Sequence, residues 1–278
     1  MSAEPSQVVS SRCYAGDLHG LESHRLDRLE KGALALGCPL NSAQLERFDI
    51  YRAELLNWNL RINLTSITDP VDIEVLHFLD SLTLVAALPI RDQRSASLSL
   101  LDIGSGAGFP GIPLKIALPD LRVSLLEATG KKAAFMEHIV NVLGLGEVTV
   151  LKGRAEDLGR DGDLRESFDV TAVRAVGQLA VLAELCLPFT NVNGRFIAMK
   201  KGSMEEEVRA ASAAIATLGG STAQVLPVRV DGLDDERSLI TVDKIKPTPA
   251  RFPRRPGMPS KRPLGWNPRR IDSRGNTD

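Results

Sequence analysis

The stretch Leu101-Asp102-Ile103-Gly104-Ser105-Gly106-Ala107-Gly108-Phe109-Pro110-Gly111 limits what this chain can fold into more than any other part of it. Glycine tolerates sharp turns that other residues avoid, and without a side chain it lets a ligand lie against bare backbone. Before the loop, the apolar run from Leu98 to Ile103 reads as a buried strand. After it, a helix is expected from about Pro110 to Ala117, with proline accepted in the first turn. That order places the loop at the carboxyl end of a strand in an open α/β sheet, where the free N–H groups of the following helix attract an anionic group.

The rest of the chain supplies partners for this unit. Strands are expected at 121–126, 148–151, 168–173 and 195–200, with helices at 131–143, 179–187 and 204–218. Such alternation predicts an α/β fold with a doubly wound, mostly parallel sheet. Two last strands, 225–230 and 239–244, flank a short polar loop at 231–237 and are expected to be antiparallel. Ahead of the glycine loop the pattern is helical. Asn41 or Ser42 can cap a helix to Ile62 with Leu45, Phe48, Leu55, Leu56 and Leu60 as its apolar residues, and further helix is expected between Val71 and Leu88. The expected organisation is a disordered extension over 1–25, an N-terminal helical unit over 26–95, the sheet domain over 96–246 and a basic, proline-rich tail over 247–278. The tail holds seven of the sixteen prolines, and no structure is assigned to it.

Hydrophobic residues make up 43% of the chain and charged residues 25%, the profile of a soluble globular protein. The longest apolar run, Val176 to Phe189, is broken by Gln178 and Glu184 and falls short of the roughly 20 residues that span a bilayer. Met1 to Arg12 has no apolar signal region. A cytoplasmic protein without membrane contact is expected. Cys13, Cys38 and Cys186 lie far apart and the four histidines are scattered, so free thiols and no metal are expected. Net charge is −1, yet Lys244 to Asp278 carries ten Lys and Arg against two Asp, a local +8 that leaves −9 for the remainder. That asymmetry fits an anionic partner for the tail and fits a solubilising segment equally well.

Two cofactor classes compete for the loop. Gly106-x-Gly108-x-x-Gly111 matches the dinucleotide string, which leaves a nicotinamide oxidoreductase open. Asp102 followed by G-x-G-x-G resembles the first motif of class I methyltransferases, which favours S-adenosylmethionine; the resemblance implies that the acid orders the loop and that its glycines, Gly104 and Gly106 among them, lie under the methionine part of the cofactor. Glu127, ending the second strand, can accept from both ribose hydroxyls of an adenosine, or can be a solvated strand-end acid. Gly153-Arg154-Ala155-Glu156-Asp157 resembles the place where methyltransferases often carry a small residue and an acid, which implies that Ala155 offers its backbone N–H to an adenine and Glu156 accepts from the exocyclic amine; alone, the stretch reads equally as a charged helix cap.

Asp102 through Phe109-Pro110-Gly111-Ile112-Pro113-Leu114 is similar to the signature of the RsmG (GidB) family, whose loop runs into G-[FL]-P-G-[IL]-P. The likeness continues in Asn57-Trp58-Asn59-Leu60-Arg61-Ile62-Asn63-Leu64-Thr65, His77-Phe78-Leu79-Asp80-Ser81-Leu82, Glu127-Ala128-Thr129-Gly130-Lys131-Lys132, Val173-Arg174-Ala175-Val176, Met199-Lys200-Lys201-Gly202 and Pro256-Gly257-Met258-Pro259-Ser260-Lys261-Arg262-Pro263-Leu264. It covers about residues 26–265. The resemblance implies a class I S-adenosylmethionine-dependent methyltransferase fold, a Rossmann-like seven-stranded sheet with an N-terminal helical extension. It also implies methylation of N7 of a guanine in 16S ribosomal RNA. Cofactor contacts are implied at Gly104, Phe109, Ala155, Glu156 and Arg174, and the physical argument adds Gly106 and Glu127.

Guanine N7 carries a free in-plane lone pair, so methyl transfer to it needs no general base, which suits a sequence with no convincing acid/base pair. Arg174, after the strand 168–173, is the candidate substrate-positioning residue; it can bind guanine O6, cofactor or phosphate, or form an ion pair with Asp102 or Glu156. His77 and Asp80 share a helical face and line the pocket or serve the core; Asn63 and Thr65 shape the pocket or cap a helix. RNA affinity is expected from phosphate contacts at Lys200, Lys201, Arg251, Arg254, Arg255, Lys261 and Arg262. With aromatics at 4%, a broad base-stacking platform is not expected. The expected partner is 16S ribosomal RNA or the small ribosomal subunit, bound by a monomer. A non-catalytic RNA-binding assembly factor and a methyltransferase of another RNA or protein remain alternatives.

Overall fold

The structure is a computed structural model and describes residues 26–89, 98–233 and 235–265. The expectation of disorder over 1–25 lies outside these residues.

The chain opens with α1 (Asp27–Ala35) and α2 (Ser42–Asn59). Asn41 caps α2: its side chain accepts from Gln44 N at 2.9 Å, and Gln44 Oε1 accepts from Asn41 N at 2.9 Å. Phe48, Tyr51 and Leu55, three and four residues apart, are fully buried. The buried Gln44 amide donates to the carbonyls of Ile116 and Ala117, satisfying carbonyls left open at the end of a later helix. α3 (Pro70–Ile73) runs without a break into a π-helical turn (Glu74–Leu79), α4 (Asp80–Leu82) and a 3-10 turn (Thr83–Ala87). The sequence predicts helix here but not the π turn, which carries His77 and widens the helix before Asp80.

The alternating part contains β1 (Ser99–Ile103), α5 (Gly111–Ala117), β2 (Arg122–Glu127), α6 (Gly130–Val142), β3 (Val148–Lys152), α7 (Ala155–Leu158), β4 (Phe168–Val173), α8 (Leu179–Cys186), β5 (Thr190–Lys201), α9 (Glu205–Thr217), β6 (Gln224–Val228) and β7 (Arg237–Asp243). Boundaries follow the sequence-based expectation within a few residues, except that β5 starts at Thr190, and the short α7 was not among the expected helices. The strands form one sheet in the order β3-β2-β1-β4-β5-β7-β6. Those from β3 to β5 are parallel, while β7 is antiparallel to both β5 and β6. This is the class I methyltransferase arrangement. Strand order reverses at β1, between β2 and β4, so the crevice for a ligand opens where the glycine loop leaves β1.

Each face of the sheet is covered. On one face Phe48, Tyr51, Phe78, Ile112 and Phe135 form one cluster, so the N-terminal helices share a core with the sheet. On the other, Leu179, Leu182, Ile215 and Phe252 pack together. Phe252 belongs to the tail, which the sequence left without structure. Residues 247–265 in fact run as a strap ending in α10 (Met258–Lys261). A proline-rich segment has too few N–H donors to satisfy all of its carbonyls from within. Arg165 therefore donates to the carbonyls of Thr248 at 2.7 Å and Phe252 at 2.8 Å, and Arg160 to that of Pro253 at 3.0 Å.

Among the described residues, no helix is long and apolar enough to cross a membrane, and no group of three or more His, Cys, Asp or Glu is placed to hold a metal ion. Cys38 and Cys186 are free and buried.

Candidate active site

The glycine loop is held from three directions. Gly104 N and Ser105 N both donate to the Leu126 carbonyl, at 2.8 and 3.1 Å, which ties the loop to the neighbouring strand. Tyr51 donates its hydroxyl to the Ala107 carbonyl, so α2 reaches into the loop. Asp102 accepts from Gly111 N at 2.9 Å and so fixes the start of α5. Gly104, Gly106 and Gly108 have φ of 73°, 60° and 98°, the left-handed region that favours glycine. Gly111 is required for a different reason: a Cβ there would lie 2.4 Å from Leu125 Cδ2 and 3.1 Å from Asp102 Oδ2. Above Gly104 a Cβ would meet nothing within 4 Å, so the loop presents bare backbone to open space.

The expected role of Asp102 as organiser of the loop fits this geometry. Its carboxyl is fully buried, and Oδ1 has no hydrogen-bond partner among the described residues. Burial pushes its pKa from 3.8 up to about 7, against the opposing pull of the Gly111 N–H and the Arg174 charge.

Glu127 stands at the end of β2 beside the loop, nearly buried. Oε2 accepts from Gly106 N at 3.0 Å and Oε1 from Thr129 N at 2.7 Å. It is thus not a solvated strand-end acid. A carboxylate has about four acceptor sites, so one remains on each oxygen for a pair of ribose hydroxyls. Ala155 is buried at the first position of α7, and Glu156 is half-buried beside it. Glu156 Oε1 accepts from Gly257 N at 2.9 Å, so the tail closes one side of the place expected for an adenine. Gly104, Gly106, Glu127, Ala155 and Glu156 therefore line the carboxyl ends of β1, β2 and β3, a donor set that fits an adenosine with a small zwitterionic chain.

Phe109 connects this side to a second region. The His77 ring stacks on Phe109 with centroids 4.5 Å apart, and the Arg174 guanidinium lies 4.8 Å from the Phe109 centroid. Arg174 donates to the Leu76 carbonyl at 3.2 Å, pairs with Asp80 Oδ2 at 3.2 Å and sits 3.2 Å from His77 Nδ1. The alternative of an ion pair with Asp102 or Glu156 is replaced by one with Asp80, which follows directly on the π turn. An arginine can only donate, so His77 Nδ1 accepts and its proton sits on Nε2, 2.8 Å from Thr65 Oγ1. Burial and then the Arg174 charge pull the His77 pKa from 6.5 down to about 3, leaving the ring neutral. His77 and Asp80 are therefore both tied to Arg174 in one cluster. Thr65 joins it through His77, while Asn63 is exposed and Asn59 orders that loop by accepting from Leu64 N and Thr65 N.

Beyond Arg174 lies a cavity of about 300 Å³ at the carboxyl ends of β4 and β5 and the start of β7, lined among others by Asp80, Arg174, Met199, Lys200, Glu207 and Arg237. Arg237 escaped the sequence reading, which placed it in a polar loop. It is the first residue of β7, paired in register with Lys201 and 8% exposed. Tyr51 was missed as well, although its spacing from Phe48 and Leu55 marks a buried face.

The expected RNA contacts divide. Arg251, Arg255, Lys261 and Arg262 are exposed. Lys201 is 61% exposed and pairs with exposed Asp235 at 2.7 Å. Two do not point outward. Lys200 is 11% exposed, donating to the Gly177 carbonyl at 2.5 Å and pairing with Glu207 at 2.8 Å. Arg254 is committed to Glu184, a fully buried carboxylate, through Nε at 2.8 Å and Nη2 at 2.5 Å. Lys200 is thus held by the partly exposed Glu207 at the rim of the cavity, and Arg254 by the buried Glu184.

Residues 44–238 match the profile of the GidB family, described as rRNA small subunit methyltransferase G. Two curated relatives named Ribosomal RNA small subunit methyltransferase G align over 239 residues, 86% of this chain and 100% of each relative. That of Roseiflexus sp. (strain RS-1) is 50% identical, and that of Dehalococcoides mccartyi (strain CBDB1) 47%. Among solved structures, a predicted O-methyltransferase of Agrobacterium tumefaciens is similar over 57% of this chain and 78% of its own, with a TM-score of 0.45 and 21% identity. Given half-identity along nearly the whole described chain, and a profile match that takes in the glycine loop, Arg174 and Arg237, the chain belongs to the GidB family, rRNA small subunit methyltransferase G.

Proposed function

We propose that this chain transfers the methyl group of S-adenosylmethionine to N7 of one guanine in 16S ribosomal RNA, acting in the cytoplasm as a monomer. The observation that carries the reading is the continuity of the site. An open glycine loop with Glu127 and Glu156 leads, across Phe109 and Arg174, into a cavity whose acids and bases are already engaged. Asp80 is held between Arg174 and Arg237, Glu207 by Lys200 and the Leu179 N–H, and neutral His77 between Arg174 and Thr65. Among the described residues that line it, each carboxylate is paired with a cation, and N7 of guanine gives up no proton when it is alkylated.

S-adenosylmethionine supplies the electrophilic methyl group. The residues of the chain bind, orient and exclude water. Glu127 and Glu156 would hold the two ends of the adenosine, and Phe109 forms the wall between it and the base. Alignment of N7 with the methyl–sulfur bond draws on the ~7–11 kcal/mol that proximity can supply. Arg251, Arg255, Lys261 and Arg262 are the proposed phosphate contacts.

The test is mass-spectrometric mapping of 16S ribosomal RNA from cells with and without the chain. One 7-methylguanosine should vanish on deletion, return with the wild type and not return with Arg174→Ala. An unchanged modification pattern would sink the ribosomal assignment.

A further inference from the structure

Val176 is fully exposed, the most exposed large hydrophobic side chain among the described residues. A lone apolar side chain in water is ordinary on a protein surface. Position and support set this one apart. It sits on the turn 174–178 that joins β4 to α8, and with Ala175 and Gly177 it lines the cavity beyond Arg174. No other exposed large hydrophobic among the described residues lines that cavity. The turn is fastened on both sides. Before Val176, Arg174 donates to the Leu76 carbonyl and pairs with Asp80, each at 3.2 Å. After it, Lys200 Nζ donates to the Gly177 carbonyl at 2.5 Å and Glu207 Oε1 accepts from Leu179 N at 2.6 Å, while the Lys200–Glu207 pair at 2.8 Å joins the two. Valine is β-branched and stiff at χ1, so the knob projects in a fixed direction and has little rotamer freedom to lose on contact.

We infer that Val176 is a wedge that takes the place in the RNA stack vacated by the methyl-acceptor guanine, packing against the base next to it. The inference rests on the guanine-N7 reading above. A guanine held in a stack cannot bring N7 in line with the methyl–sulfur bond of a cofactor lying on the glycine loop, so the base must leave its neighbours. Its departure bares their faces, and that unstacking is the main cost of reaching the site. Apolar side chains inserted at base steps offset a cost of this kind in nucleic-acid recognition. Val176 has what the task requires: it is apolar, accessible to a large partner, at the mouth of the cavity and fixed in place. One such contact needs no aromatic platform, in keeping with an aromatic content of 4%. It also gives a purpose to the inward turn of Lys200, which holds the Gly177 carbonyl beside the knob.

The test uses the full chain and 16S ribosomal RNA assembled by splinted ligation, unmodified or with the fluorescent base 2-aminopurine on one side or the other of the methylated guanine. This base is quenched while stacked and brightens when its neighbour leaves. With S-adenosylhomocysteine present, the wild type should brighten the probe on the side that Val176 enters. Val176→Ala and Val176→Ser, at an exposed position that leaves the core untouched, should bind S-adenosylhomocysteine as the wild type does, brighten the probe less and lose roughly 10-fold in kcat/KM on unmodified RNA. Val176→Leu, which keeps an apolar knob, should behave as the wild type. Wild-type brightening and wild-type kcat/KM in the Ala and Ser variants would overturn the inference. So would a fall in kcat/KM with brightening unchanged, which marks a turn that shapes the cavity and not a wedge, and so would methylation by a wild type that brightens neither probe. A wild type that transfers no methyl group to guanine N7 would instead sink the guanine-N7 reading, a distinguishable failure.

Discussion

Replacing Arg254 by methionine separates a structural from an RNA-binding role for the tail. Its guanidinium meets both oxygens of Glu184, whose side chain is 0% exposed, and its backbone N–H donates to the same carboxylate at 2.9 Å. Arg254→Met leaves the buried carboxylate with that single N–H. Breaking a buried pair from one side costs about 3–5 kcal/mol, because the remaining charge is uncompensated, whereas replacing both partners by apolar groups is often neutral. At roughly 2–4 °C per kcal/mol for a domain of this size, the single variant should melt about 6–20 °C lower. Arg254→Met with Glu184→Met should recover most of that loss. Urea denaturation of wild type, both single variants and the double variant closes the cycle and yields the coupling energy. If Arg254→Met melts with the wild type and only RNA binding falls, the assignment of Arg254 to Glu184 is wrong and the residue belongs to the RNA surface after all.

Gly111→Ala puts a methyl 2.4 Å from Leu125 Cδ2 and 3.1 Å from Asp102 Oδ2, so overpacking should cost about 1–3 kcal/mol and weaken S-adenosylhomocysteine binding by calorimetry. Asp102→Asn should change the pH profile of stability. The folded pKa of Asp102 is raised from 3.8 to about 7, so the wild type loses stability as pH rises through that window, by an amount on the order of 4 kcal/mol, while the variant lacks this slope; parallel profiles between pH 4 and 8 would refute it. Charge reversal at both Arg255 and Lys261, which are exposed, should lower the salt dependence of RNA binding by about one unit of slope per lost phosphate contact while cofactor affinity holds; an unchanged slope would remove the tail from the RNA surface.

What was legible in the sequence is what local rules decide. Asn41 announces the start of α2, and the glycines between Asp102 and Gly111 announce a strand, a turn and a helix, because caps, φ preferences and apolar periods act over a few residues. What stayed hidden depends on sheet order. Arg174 meets Asp80 and His77 from nearly a hundred positions away, and Arg237 faces Asp80 because β7 inserts between β5 and β6. A polar residue at the start of a strand reads as loop until the strand is known to be flanked on both sides.

The charge of the tail shows the same limit. Its local +8 is a count along the chain, and a count becomes a surface property only where no counter-charge folds onto it. Lys244 is fully buried against Glu166, with Nζ 3.0 Å from the carboxylate, and Arg254 is spent on Glu184. Both carboxylates belong to the part of the chain that carries the compensating −9. The tail is basic and the remainder acidic partly because the two are folded together, so segregation of charge in a sequence is as much a signature of intramolecular docking as of an anionic partner. Among the described residues, the cations that remain exposed, Lys246, Arg251, Arg255, Lys261 and Arg262, are the ones that docking does not explain.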